Sequence, residues 1–120
     1  MNKLSDAELA VLEVLWGGES FALGELVEAL RPVKGWSRNT VYTYLTRMEA
    51  KSLVAIDRPG EKPYSAAVKK EDWAKAERDS LLKNVYGGAA GDLVAAFLKE
   101  AAISTSERER LRKLLDEMEV

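Results

Sequence analysis

Cysteine and histidine are both absent from this 120-residue chain. Without cysteine there are no disulfides, thiolate metal sites or thiol nucleophiles, and without histidine the commonest general base and the usual pH switch near neutrality are gone. Long apolar runs are missing as well. A bilayer span needs about 18 or more consecutive apolar residues, and no stretch approaches that. The opening MNKLSDAE has no apolar run after Lys3 that would make a secretory signal, so a soluble, cytoplasmic protein without membrane attachment is expected. Paired acids such as Glu71-Asp72 and Glu117-Glu119 sit near helix ends with no nucleophile or base beside them. No catalytic constellation, cofactor site or metal loop is read, and the chain is not expected to be an enzyme.

Positive charge is scarce overall and concentrated locally. The formal net charge is −2. Residues 1–30 carry Lys3 alone against six carboxylates, whereas residues 31–62 carry Arg31, Lys34, Arg38, Arg47, Lys51, Arg58 and Lys62 against Glu49, Asp57 and Glu61. Salt screens exposed charges beyond about 8 to 10 Å, so the local basic segment, not the total, governs what a polyanion meets.

What is there is helical patterning with caps. Ser5-Asp6-Ala7-Glu8 is a capping box opening a helix to about Trp16 that buries Leu9, Leu12, Leu15 and Trp16, and Gly17-Gly18 ends it. Leu23, Leu26, Val27 and Leu30 repeat at i, i+3, i+4 and i+7, predicting a short second helix that Pro32 stops. From Trp36 to Lys51, Val41, Tyr44, Leu45 and Met48 repeat in the same way behind Ser37 as N-cap. The other face of this third helix carries Arg38, Asn39, Tyr42, Thr43 and Thr46, with Arg47 at its margin. Ser52–Arg58 reads as a strand, Pro59-Gly60-Glu61-Lys62 as a turn, and Pro63–Val68 as a second strand.

Three helices and a charged hairpin are the order of a winged helix-turn-helix, whose third helix enters the major groove while the wing lies on the neighbouring backbone. Arg can bond guanine bidentately, Asn adenine, and a Thr methyl can pack on the thymine methyl. Arg38, Asn39, Thr40, Tyr42, Thr43, Thr46 and Arg47 are therefore the candidate DNA contacts of the third helix. Which of them read bases is open, and Thr40 serves either the cap or a phosphate. Arg58 and Lys62, flanking the wing turn, are candidate phosphate contacts. A protein-interaction adaptor using the same face without DNA is the alternative. Trp16, Trp36 and Trp73 read as packing residues.

From Lys69 onward the pattern is helical throughout. A helix over Glu71–Val85 is broken by Tyr86-Gly87-Gly88, which lacks the Lys-Ser/Thr of a nucleotide loop and reads as a hinge. Another helix follows from about Ala90 to Ala102. Ser104 or Ser106 caps a last one with Leu111, Leu114, Leu115 and Met118 as its stripe. Three short helices enclose little core alone, so a symmetric partner is expected to complete it. The predicted architecture is mainly α, with a winged-helix domain over residues 1–68 and a helical dimerisation domain over residues 69–120.

Leu4-Ser5-Asp6-Ala7-Glu8 before Val14-Leu15-Trp16, Trp36-Ser37 with Thr40-Val41 and Leu45-Thr46-Arg47, and Tyr86-Gly87-Gly88 before Leu93-Val94 and Phe97 together resemble the penicillinase-repressor family of bacterial winged-helix repressors. The resemblance implies a homodimer on a dyad operator, joined through its C-terminal helices, with Leu93, Val94, Phe97, Leu111, Leu114, Leu115 and Met118 as the candidate dimer residues. In the β-lactam branch a sensor protease system triggers cleavage between Asn and Phe in the fifth helix, and the matching bond is Ala96-Phe97. The Phe is kept and the Asn is replaced. The copper branch binds metal through a cysteine-rich tail, which this sequence does not have.

Overall fold

Ser5 opens the first helix with a reciprocal cap. Its Oγ accepts the Glu8 N–H at 3.1 Å, and Glu8 Oε1 accepts the Ser5 N–H at 3.0 Å. Two backbone donors that a helix start leaves without partners are thereby satisfied, and α1 runs over Asp6–Leu15. In the computed structural model, which describes residues 3–100 and 103–118, α1 buries Val11, Leu12 and Leu15. Trp16 lies just past the helix as its C-cap and is half-buried, as is Leu9, so Val11 takes the core position expected of them.

Helix α2, Leu23–Lys34, buries Leu26, Val27 and Leu30 and continues through Pro32 to Lys34. The expected stop at Pro32 is corrected for a physical reason. A proline late in a helix removes a single N–H, here the donor to the Glu28 carbonyl, and Glu28 is exposed so that water can replace it. The helix ends instead at Gly35, whose φ of 64° places it in the left-handed region while its N–H bonds Arg31 O at 2.9 Å.

After that tight turn, Ser37 Oγ accepts the Thr40 N–H at 3.2 Å and starts α3, Arg38–Ala50. Val41, Leu45 and Met48 are fully buried. Tyr44, at the edge of the same face, is half-buried and stacks on Trp36 with ring centroids 4.6 Å apart.

The wing is shorter than its sequence suggests. Strands β1, Val54–Ile56, and β2, Tyr64–Ala66, pair antiparallel with Val54 opposite Ala66 and Ile56 opposite Tyr64. Ser52 adopts φ 63°, a turn conformation that cannot begin a strand. A third segment joins unannounced: Phe21 N–H donates to Tyr64 O at 2.8 Å and accepts the Tyr64 N–H on its own carbonyl at 3.0 Å. The start of β2, next to the wing turn, is thus tied to the chain just before α2.

Helix α4 spans Lys70–Tyr86. The chain divides into two compact units between Ala76 and Glu77, so the first extends beyond the expected boundary at Val68. Tryptophan explains the extension. Trp16 Nε1 donates to Val68 O at 2.8 Å, the Trp16 and Trp73 rings lie 5.6 Å apart, and Lys70 Nζ is 3.6 Å from Glu13. The first turns of α4 are therefore packed on α1.

In the second unit, Gly87 and Gly88 take left-handed φ values and end α4, with the Gly88 N–H reaching back to Leu82 O at 2.9 Å. Helix α5 covers Ala90–Glu100, and its expected continuation through Ala102 falls outside the described residues. Ser104, not Ser106, caps α6, Thr105–Glu117, accepting the Glu107 N–H at 3.1 Å. None of the described residues of this unit is buried.

Candidate nucleic-acid interface

The face of α3 opposite its core stripe carries Arg38, Asn39, Tyr42, Thr43 and Arg47, all exposed, with Thr40 and Thr46 half-buried beside them. Because Val41, Leu45 and Met48 lock the other side, these groups stand on a rigid support. Among the described residues, neither Arg38 nor Arg47 forms an ion pair. Asn39, Thr40, Thr43, Tyr44 and Arg47 line a shallow groove of about 320 Å³ along the helix.

The threonines are not equivalent. Thr40 belongs to the cap, where Ser37 Oγ and Thr40 Oγ1 lie 3.1 Å apart. Thr43 Oγ1 donates to Asn39 O at 2.9 Å, and Thr46 Oγ1 to Thr43 O at 3.0 Å. Their hydroxyl protons are committed to the helix backbone, leaving methyl groups and oxygen lone pairs to meet a ligand.

Neither candidate cation of the wing is free. Arg58 Nη1 and Nη2 donate to Glu49 Oε2 and Oε1 at 2.9 and 2.8 Å, joining the wing to the last turn of α3. Lys62 Nζ stands 3.5 Å from Glu25 Oε2 at the start of α2, and Glu25 Oε1 also accepts the Ala22 N–H at 2.9 Å. The Arg58 hydrogen bonds hold the Glu49 carboxyl below its usual range, while the Ala22 N–H, more than Lys62, does so for Glu25. Sequence reasoning counted Glu49 only against the local charge and left Glu25 in the acidic N-terminal stretch. No spacing rule links Glu25 to Lys62, 37 residues away.

A buried carboxylate supports the interface from behind. Glu8 is only 7% exposed, yet Lys51 at the end of α3 donates to its Oε2 at 2.8 Å. That hydrogen bond first, and the Ser5 N–H second, hold the Glu8 carboxyl below its usual range. Within the wing, burial raises the Tyr64 hydroxyl, which keeps it neutral.

In the second unit, Val94, Phe97, Leu114, Leu115 and Met118 are exposed, and Leu93 and Leu111 are half-buried. Ala96 and Phe97 sit within α5 and, with Tyr86 and Glu100, border a cleft of about 310 Å³.

A tight helix-turn-helix with a polar, rigidly backed second helix, closed by an antiparallel hairpin, defines a winged-helix DNA-binding domain. Residues 4–117 match the penicillinase repressor family, and the chain belongs to it. It is 28% identical to the penicillinase repressor of Bacillus licheniformis over 96% of this chain and 91% of that one. Similarity to the methicillin resistance regulatory protein MecI of Staphylococcus aureus is 27% identity over 95% and 94% of the two chains. Among solved structures, the DNA-binding domain of the repressor BlaI is 30% identical with a TM-score of 0.51, covering 60% of this chain and 93% of that one. The Bacillus licheniformis BlaI monomeric form in complex with the blaP half-operator is 29% identical with a TM-score of 0.52, covering 59% and 88%.

Proposed function

We propose that two copies of this chain bind a dyad-symmetric operator in the cytoplasm, each laying α3 in a major groove with its wing on the flanking backbone. As a member of its family the chain is a transcriptional repressor and not an enzyme. The observation that carries the finer reading is the pair of cations, Arg38 and Arg47, which form no ion pair among the described residues, on the exposed face of a helix whose other face is locked in the core. A relative sharing this winged-helix domain has been solved on a half-operator, which supports the same use of α3 here.

The exposed apolar residues of α5 and α6 support the homodimer, since a unit none of whose described residues is buried gains its core by sharing one. Release follows from whatever separates the two copies. Cleavage of Ala96-Phe97 by a sensor or regulatory protease is one such route. That bond lies inside α5, so a protease must first unwind the helix locally to bind it in extended form.

The test is a fluorescence-anisotropy titration against a dyad-symmetric duplex from the promoter the protein regulates, at two salt concentrations, with an Arg38→Ala, Arg47→Ala variant alongside. Salt-sensitive binding that saturates at two chains per duplex and is lost in the variant is expected. Binding indifferent to both substitutions would transfer α3 to the adaptor reading.

A further inference from the structure

The wing presents two cations at its tip, and each is already neutralised by a carboxylate of the helix-turn-helix. The Arg58 pair with Glu49 is bidentate, at 2.8 and 2.9 Å. The Lys62 pair with Glu25 is single and longer, at 3.5 Å. A carboxylate and a phosphate offer a guanidinium the same two anionic oxygens in the same fork. Both wing pairs are also open to water, with Arg58 64% and Glu49 33% exposed, so neither pair is too strong to exchange. Meanwhile the start of β2, next to the wing turn, is pinned by the Phe21 and Tyr64 backbone bonds, which keeps the tip beside the two helices.

We propose that Glu49 is an internal stand-in for a DNA phosphate: it holds Arg58 in the free protein and surrenders it to the operator backbone on binding. Glu25 does the same, more weakly, for Lys62. This inference rests on the reading of α3 and the wing as the DNA-binding surface. Its consequence is that the wing contributes less to affinity than its charge implies. Exchange trades one ion pair for another and leaves the Glu49 carboxylate unpaired beside a polyanion. A cation that is already paired adds little to the salt dependence, because its neutralisation of a phosphate is offset by the anion set free beside it. Loose, sequence-independent association, which depends almost wholly on charge, is restrained by the same device.

The test is a double-mutant cycle on the full chain with Glu49→Gln, Arg58→Ala and their combination, each titrated against the dyad duplex across a salt series. Glu49→Gln is expected to tighten binding by roughly threefold to tenfold and to steepen the slope of log K against log salt by about 0.9 per protomer. In the Arg58→Ala background a clearly smaller gain is expected, since only the repulsion of the bare carboxylate is left to relieve. An equal gain in both backgrounds would mean that Glu49 acts by bare repulsion and would overturn the proposal. Weaker binding by Glu49→Gln would overturn it too, since Glu49 would then be positioning Arg58 for contact. Either result, with affinity still dependent on Arg38 and Arg47, leaves the DNA-binding reading standing. Loss of that dependence, or no binding by the unsubstituted chain, sinks both. Thermal unfolding of each variant separates these effects from a folding defect.

Discussion

Lys51 Nζ lies 2.8 Å from Glu8 Oε2, joining residues 43 apart and closing the C-terminal end of α3 onto the N-terminal turn of α1. Glu8 is the one charged residue among the described residues that the core buries, and its other oxygen is held by Ser5. A carboxylate whose pKa is lowered by folding stabilises the fold above its unfolded value, here 4.5, and loses that contribution as the pH falls through the folded value. Glu8→Gln should therefore cost about 1 to 2 kcal/mol at neutral pH and progressively less as the solution is acidified below 4.5. Urea unfolding across that pH range checks it, and a cost that does not change with pH would contradict the assignment.

Gly35 sets the turn between α2 and α3 with a φ of 64°. Its missing Cβ is a conformational need and not a packing one, because the nearest atom a Cβ would meet is Arg31 O at 3.9 Å. Gly35→Ala should destabilise by about 1 kcal/mol through backbone strain alone. A larger loss in calorimetry would point to a contact that the open space around Gly35 does not provide.

Trp16 is the bolt between the winged helix and the start of α4. Trp16→Phe keeps the apolar bulk but removes the Nε1 hydrogen bond to Val68 O. A loss of about 1 to 2 kcal/mol is expected, read by circular dichroism during denaturant titration. An unchanged midpoint would show that the ring contact with Trp73 is sufficient by itself.

Phe97 and Leu115 are 54% and 59% exposed, the condition of residues that gain their burial from a second copy. The pair of substitutions Phe97→Glu and Leu115→Glu should shift the protein to monomer in sedimentation velocity. It should also weaken binding to a dyad duplex far more than to a half-site. A dimer that persists with both charges in place would put the interface elsewhere.

Much of this was legible from residue order, and the parts that were not share one cause. The core stripes of α2 and α3, the caps at Ser5 and Ser37 and the glycine break after Tyr86 depend on residues within about one or two helical turns of each other, so spacing reveals them, whereas Val11 in α1 and the choice of Ser104 over Ser106 needed the structure. Pro32 misled because its usual rule assumes a buried helix interior, whereas the lost bond falls on an exposed turn. Among the DNA candidates, α3 kept Arg38, Asn39, Tyr42, Thr43 and Arg47 on its exposed face as periodicity required. Arg58 and Lys62 were placed correctly at the wing turn, but their partners were not foreseeable.

The sequence by itself determined which segments are helices, which face of each is apolar, and where the polar face of α3 begins, because these follow from local steric and hydrogen-bonding rules. Tertiary structure alone decided that Glu8 meets Lys51, that Trp16 bonds Val68, that Phe21 joins the sheet beside Tyr64, and that Glu49 and Glu25 hold the wing cations. Such pairings are set by how the core stripes of α1, α2 and α3 pack together. Packing brings side chains within reach at sequence distances that no periodic pattern encodes.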